Sequence, residues 1–322
     1  MDVAAIEAGY LAATEAAALV DRSERGKLAL SGPDAVTFLD ALLSNDVASL
    51  APGEGIDATL LTHKGHLLAE VRVLRTEDEL LLDTERPGLQ ALFDALSQFK
   101  VGYAAELHKR TLQRGLLSLI GPRAGEALPT APPAAEHAHV ATSVAGAPVR
   151  AIRTDLGIDV LCESDATAAV AAALVAAGAV AVDEAVAEAV RIEHGRPRFG
   201  VEIDEATMPQ EAGLHERAVS YSKGCYVGQE TVARLYWKGR PNRHLRGLRL
   251  SDDVPAGTPL RLGEAEVGTL GSIAHSPRLG AIGLALLRRE AEPGAVLAAG
   301  EGGVRATVVE LPFAGAAAER DR

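Results

Sequence analysis

Two passages of this sequence are written alike. Lys27-Leu28-Ala29-Leu30-Ser31-Gly32-Pro33-Asp34 runs an alternating strand into Gly-Pro and a helix start, with Asp34 placed to cap a helix over 35–43. Leu116-Leu117-Ser118-Leu119-Ile120-Gly121-Pro122-Arg123-Ala124 repeats that order of apolar strand, Gly-Pro and helix. A chain carrying one unit twice is expected to build two related lobes, the second beginning near Thr111. Around the first unit, strands are expected over 58–62, 67–74 and 80–83. A helix is expected over 87–99, where Leu89, Leu92, Phe93 and Leu96 fall at helical spacing. Around the second, strands are expected over 149–153 and 157–162. Helices over 166–177 and 183–192 flank a short apolar strand, and the alanine-rich stretch 4–20 also reads as a helix. The mixture predicts α+β lobes with antiparallel sheets.

The character changes between Glu193 and Gly239, where glycine, proline, charge and aromatics replace periodicity. A loop region this long in a compact chain is usually functional. Beyond Arg243, short strands are expected over 245–250, 259–262, 266–273, 280–286, 295–297 and 304–311, a spacing that suits a small β-barrel. Residues 314–322 read as a tail.

At 322 residues the chain is long enough for two or three domains. Hydrophobic residues at 48% and charged residues at 24% suit a globular protein with a sizeable core. The formal net charge of −12 argues against direct nucleic-acid binding. Two cysteines cannot form a disulfide framework, nor alone hold a four-cysteine zinc or iron–sulfur site. Residues 1–20 lack the basic start and apolar run of a secretory signal, and no apolar segment reaches membrane-spanning length, so a cytoplasmic protein without membrane partners is expected.

The irregular region contains Lys223-Gly224-Cys225-Tyr226-Val227-Gly228-Gln229-Glu230, followed by Arg234. The two glycines let backbone approach a ligand or another segment. Lys223 beside Cys225 can favour the thiolate. The plainer alternative is a tight loop with a buried structural cysteine. Cys162 sits in an apolar strand pattern and reads as structural. Tyr236, Trp237, Lys238 and Arg240 form a basic–aromatic patch suited to a partner or RNA, or else to packing on the barrel.

Over Arg191-Ile192-Glu193-x-Gly195 and Lys223-Gly224-Cys225-Tyr226-x-Gly228-Gln229-Glu230, the sequence resembles the YgfZ family, the folate-binding branch of the glycine cleavage T-protein (aminomethyltransferase) superfamily. Matches at Pro209-x-Glu211-x-Gly213-Leu214, Ser276-Pro277 and Leu311-Pro312-Phe313 extend the resemblance over nearly the whole chain. It implies three units around a central folate pocket: a discontinuous first α+β domain (1–110 and 193–240), a second (111–192) and a C-terminal barrel (241–313).

The resemblance also implies site residues. Glu193 stands where the superfamily places a carboxylate against the pterin, and a carboxylate can accept paired N–H donors from such an edge. The other reading is a helix-end glutamate in an ion pair. Arg196, Glu211 and Arg72 join it as candidate folate contacts. Transferases of the superfamily carry an Asp pair where this chain has Ala69 and Glu70, so an acid that would serve the substrate amine is lost or altered. Glu70 is expected to point to the other sheet face or to pair with Arg72. Cys225 becomes the functional thiol, with Lys223 and Arg234 as its positive surroundings and Gly224, Tyr226, Gly228, Gln229 and Glu230 as its loop.

The implied role is a folate-binding accessory protein for iron–sulfur cluster assembly or repair, indirectly supporting tRNA modification. Tetrahydrofolate or a derivative would be its cofactor, and a cluster would be contacted only transiently. Its partners would be assembly proteins or cluster-dependent enzymes. The alternative is a tetrahydrofolate-dependent aminomethyltransferase or demethylase.

Overall fold

A computed structural model describes residues 3–314. Helix α1 (Val3–Glu15) leads into β1 (Ala18–Asp21) and β2 (Gly26–Ser31), then α2 (Ala35–Leu42) and the meander β3 (Gly55–Leu61), β4 (Leu67–Arg75) and β5 (Glu79–Thr84). Next come α3 (Leu89–Phe99), β6 (Glu106–Lys109) and β7 (Arg114–Ile120), then β8 (His139–Val144), β9 (Ala147–Arg153) and β10 (Gly157–Glu163). The elements α4 (Thr167–Ala176), β11 (Val180–Ala181), α5 (Glu184–Glu193) and, after a long irregular passage, α6 (Gln229–Lys238) follow. Six strands complete the chain: β12 (Arg243–Leu250), β13 (Pro259–Leu262), β14 (Ala265–Ser276), β15 (Gly280–Arg288), β16 (Val296–Ala299) and β17 (Val304–Val309).

The strands form two open sheets and a closed barrel. The first sheet runs β3-β4-β5-β2-β6, and the second runs β11-β1-β7-β10-β9-β8. The barrel closes where β12 pairs with β17. In the first sheet Leu28, Leu30, Val71 and Val73 pack against Phe38 and Leu39 of α2 and Leu92 and Leu96 of α3. In the second, Leu117, Leu119, Ile158 and Val160 pack against Val170 and Leu174 of α4. Burying each such side chain stabilises the lobe by roughly 1.5–3 kcal/mol. Leu74, Leu116, Ile152 and Leu161 join the two sheets. Ile192 of α5 is buried with Leu245, Ile282, Leu284 and Phe313 of the barrel and its C-terminal extension. Among the described residues no helix is long and apolar enough to cross a membrane.

The repeated Gly-Pro has a backbone cause. Gly32 and Gly121 hold φ of 108° and 127°, a region L side chains avoid. A Cβ on either would lie 2.4–2.5 Å from a carbonyl oxygen, of Ala104 or Ala16. The echo ends there. After Gly121-Pro122 the chain makes only one tight turn over Ala124–Ala127, not the expected helix. Pro129, Pro132 and Pro133 follow at once and cannot continue a helical hydrogen-bond ladder.

The amino terminus departs from the expected division. The stretch 4–20 is not one helix, because Ala18-Leu19-Val20 is buried as β1, antiparallel to β7 and parallel to β11. Residues 3–21 therefore belong to the second sheet rather than the first. The passage after Glu193 does pack on the first sheet, where Phe199, Ile203, Leu214 and Tyr226 are buried with Leu61 and Leu67. Most of the expected tail, 315–322, lies outside the described residues.

Candidate active site

Strand β4 alternates Ala69, Val71 and Val73 towards the helices with Glu70 and Arg72 towards the opposite face. That face forms one wall of a cavity of about 540 Å³. Ser118 and Asp159 of the second sheet, His244 and Arg246 of the barrel, and the passages 195–198 and 210–217 complete it. The site thus lies where all three units meet, a usual place for a ligand cleft.

This corrects the expectation for Glu70. Its side chain does point away from Ala69, but that side is the cavity. It does not pair with Arg72, which bonds Asp83 (2.5 Å) and Asp159 (2.6 Å) instead. Ala69 is fully buried, and a Cβ built on Gly88 would lie 3.0 Å from its Cβ. A carboxylate at position 69 would enter the apolar core, so its absence removes nothing from the cavity. Among the described residues no group hydrogen-bonds the Glu70 carboxyl. Burial, then the nearby Asp57 charge, pushes its pKa up to about 8, against the weaker pull of Arg217.

Asp57 is the opposite case. Its carboxylate accepts from Arg217 Nε at 2.8 Å and lies 3.2 Å from His137 Nε2. Burial would raise its pKa, but His137 and Arg217 outweigh burial and hold it well below the usual carboxylate range. Asp57, Glu136 and His137 lie close enough to suggest a metal site. The Arg217 guanidinium already bonds both carboxylates, reaching Glu136 at 2.7 Å, so the cationic position is filled from within the chain.

The other expected contacts divide. Glu193 does not line the cavity. It accepts from Tyr10 (2.8 Å), Ser276 (2.5 Å) and Arg278 (2.6 Å), and it joins α1, α5 and the barrel. This is the helix-end ion-pair reading, enlarged. Arg196 does line the cavity, with its Nε bonded to Asp155 at 2.5 Å. Glu211 lines it too and pairs with Arg243 at 2.8 Å. Two groups were missed by sequence reasoning. Asp57 is one, although its place beside an alternating strand was a usable signal. Gln210 is the other. It lines the cavity and donates through Nε2 to the Val232 carbonyl at 2.8 Å, which leaves its buried Oε1 without a partner.

The signature loop lies outside this cavity. Lys223 is not free to serve a thiolate, because its Nζ donates to the carbonyls of Asp40, Leu43 and Asn45 and pairs with the Asp40 carboxylate at 2.9 Å. It ties the loop to the end of α2, satisfying carbonyls that the helix leaves open. Gly228 meets the Thr62 carbonyl closely, whereas Gly224 faces open space. Tyr226 is buried and its pKa is pushed up to about 12. Gln229 and Glu230 form the first turn of α6, and Arg234 is exposed on that helix. Cys225 is exposed and Cys162 is fully buried. A thiol reagent is therefore expected to modify one cysteine per native chain and two after denaturation. Two fast-reacting thiols in the native protein would contradict the structure.

The GCVT N-terminal domain family matches residues 2–223, and the glycine cleavage T-protein C-terminal barrel domain matches residues 243–314. This chain belongs to the glycine cleavage T-protein family. An aminomethyltransferase of Rubrobacter xylanophilus is 29% identical over 96% of this chain and 86% of its own length. A chloroplastic protein of Arabidopsis thaliana, named as a candidate transferase, is 27% identical over 92% of this chain and 71% of its own. The crystal structure of a glycine cleavage system aminomethyltransferase from Bartonella henselae superposes with a TM-score of 0.84 at 23% identity. It covers 96% of this chain and 89% of that one, and so establishes the shared T-protein fold of two sheet lobes and a barrel.

Proposed function

We propose that this T-protein-family chain binds a reduced folate in the central cavity and transfers a one-carbon unit to it, as an aminomethyltransferase. The observation that carries this reading is Glu70, a carboxyl facing the cavity with no partner among the described residues and with its proton held to about pH 8. Such a group can give or take a proton near neutrality, which a general acid–base residue must do. The cavity's size falls within the usual range for small-molecule sites, roughly 300–1,000 Å³. The lining also fits the ligand, because the protonated Glu70 carboxyl on the cavity wall offers both a donor and an acceptor to a polar ligand edge. Folate would supply the acceptor nitrogen for the one-carbon unit. Glu70 would hold and orient the ligand, while Arg196 and Glu211 keep their ion pairs in the wall. The related aminomethyltransferases support the same reading.

A second reading has its own observation. Cys225, in the Lys223–Glu230 signature, is exposed and not part of the cavity wall. An outward thiol suits a folate-binding accessory protein that meets iron–sulfur assembly proteins or cluster-dependent enzymes. Incubation with tetrahydrofolate and the other glycine-cleavage components separates the two. Formation of methylenetetrahydrofolate is the expected result. Folate binding without turnover, joined to failure of Cys225→Ala to restore cluster-enzyme activity in cells lacking the protein, would overturn the transferase reading in favour of the accessory one.

A further inference from the structure

The cavity corner at Glu70 contains two carboxyl groups in unlike surroundings. Strands β3 and β4 pair with Thr59 opposite Glu70 and Asp57 opposite Arg72. Asp57 and Glu70 are therefore diagonal neighbours on one sheet face, with backbones roughly 7–8 Å apart. One is clamped, since Asp57 Oδ2 meets both Nε and Nη2 of Arg217 and faces His137. The other, Glu70, has no hydrogen-bond or ion-pair partner among the described residues. Two further charged groups face this corner, Glu85 and Arg25, which pair with each other, and Arg198 lies 3.7 Å from the same Glu85 carboxylate.

We propose that Asp57 is a positioning residue that stands as a fixed anion, clamped by Arg217 and His137, so that the mobile proton of this corner resides on Glu70. The inference rests on the reading of Glu70 as the group that works on the one-carbon unit. Two carboxyl groups placed together, one clamped by an arginine and a histidine and one without a hydrogen-bond donor among the described residues, sort themselves into a permanent charge and a proton carrier. Both Arg217 and Asp57 then act on Glu70 only through their fields, and with opposite signs. Asp57 makes ionisation of Glu70 harder, and Arg217 makes it easier. Arg25 and Glu85 face the same carboxyl from the β2 and β5 side with the same opposed signs, and they remain in place in every variant below.

The test is the titration of the Glu70 carboxyl carbon by NMR in protein labelled at glutamate Cδ, without folate. Glu70→Gln identifies the signal. The wild-type midpoint is expected near 8. Asp57→Asn should lower it by about one pH unit or more. Arg217→Gln should raise it, and Arg217→Lys, which keeps the charge, should leave it near the wild-type value. A merely structural role predicts that both substitutions admit water and move the midpoint down. Midpoints that move the same way, or not at all, overturn the proposal. If Asp57→Asn fails to fold, the Gln and Lys variants at position 217 still decide it, since equal midpoints in those two reject a charge effect. Because no folate enters the measurement, a failure of the transferase reading leaves these midpoints untouched, and turnover can stand while the sign reversal fails.

Discussion

Glu70→Gln is expected to reduce methylenetetrahydrofolate formation by at least about a hundredfold, the usual contribution of a positioned acid or base. Folate binding should change far less, because Gln keeps the shape and the hydrogen-bonding capacity of a neutral glutamic acid. A wild-type rate in this variant would remove Glu70 from the chemistry. The same substitution carries a stability signature whose sign follows from linkage. The folded carboxyl holds its proton to about pH 8, whereas an ordinary glutamate releases it near 4.5. The wild-type fold therefore binds the proton more tightly than the unfolded chain does, and its stability falls as pH rises through that interval. Glu70→Gln carries no such penalty. Melting temperatures of the two proteins should nearly coincide at pH 4 and separate above pH 8, with the variant the more stable.

Arg72→Met is expected to destabilise the protein by about 3–5 kcal/mol, the cost of removing one partner from buried charge pairs. Arg72 bonds Asp83 of its own sheet and Asp159 of the other, and all three residues are largely buried. Its removal leaves Asp159 with only the Ser118 hydroxyl, which donates to it at 2.6 Å. Burial raises the Asp83 pKa, but Arg72 and Arg25 more than offset this and hold it below its ordinary value. The arginines' contribution is thus present above that ordinary value and is lost as acid protonates the carboxyl. The gap between variant and wild type should narrow at low pH, and adding Asp159→Asn should recover part of the loss. A decrease under about 1 kcal/mol in urea unfolding would show that the pairs do not carry the lobe interface.

Much of this architecture was legible in the chain because local chemistry and tertiary environment agree in most of it. The barrel strands and both Gly-Pro corners fall where period and turn residues place them. What stayed hidden depends on distant partners. Ala16 to Val20 continues an alanine-rich helix by local preference, and only burial against β7 and β11 makes part of it a strand. Helix α6 was lost in the irregular passage because it buries little of its own surface apart from Val232. The site divided in the same way. The β4 alternation could have placed Glu70 on the face opposite the core, but not shown that a cavity lies there. Glu193 was expected to be a ligand contact because the resemblance places a pterin-binding carboxylate at its position. Tyr10, which occupies it, is 183 positions away. The partner of Lys223 is also remote, at Asp40.

The position of β1 has a consequence for how the molecule is made. This strand leaves the ribosome before every other strand described, yet its neighbours in the sheet are β7 and β11, and its helix α1 rests on α5. Residues 26–109, which contain every strand of the first sheet, emerge before any of those neighbours. The first lobe can therefore close while the nascent amino-terminal segment waits beside it. The Tyr10 hydroxyl gains its acceptor only when translation has passed Glu193. Order of birth and order of assembly run in opposite directions at this end of the chain, and a release of the polypeptide before α5 would leave the apolar side of α1 as the exposed handle for a chaperone.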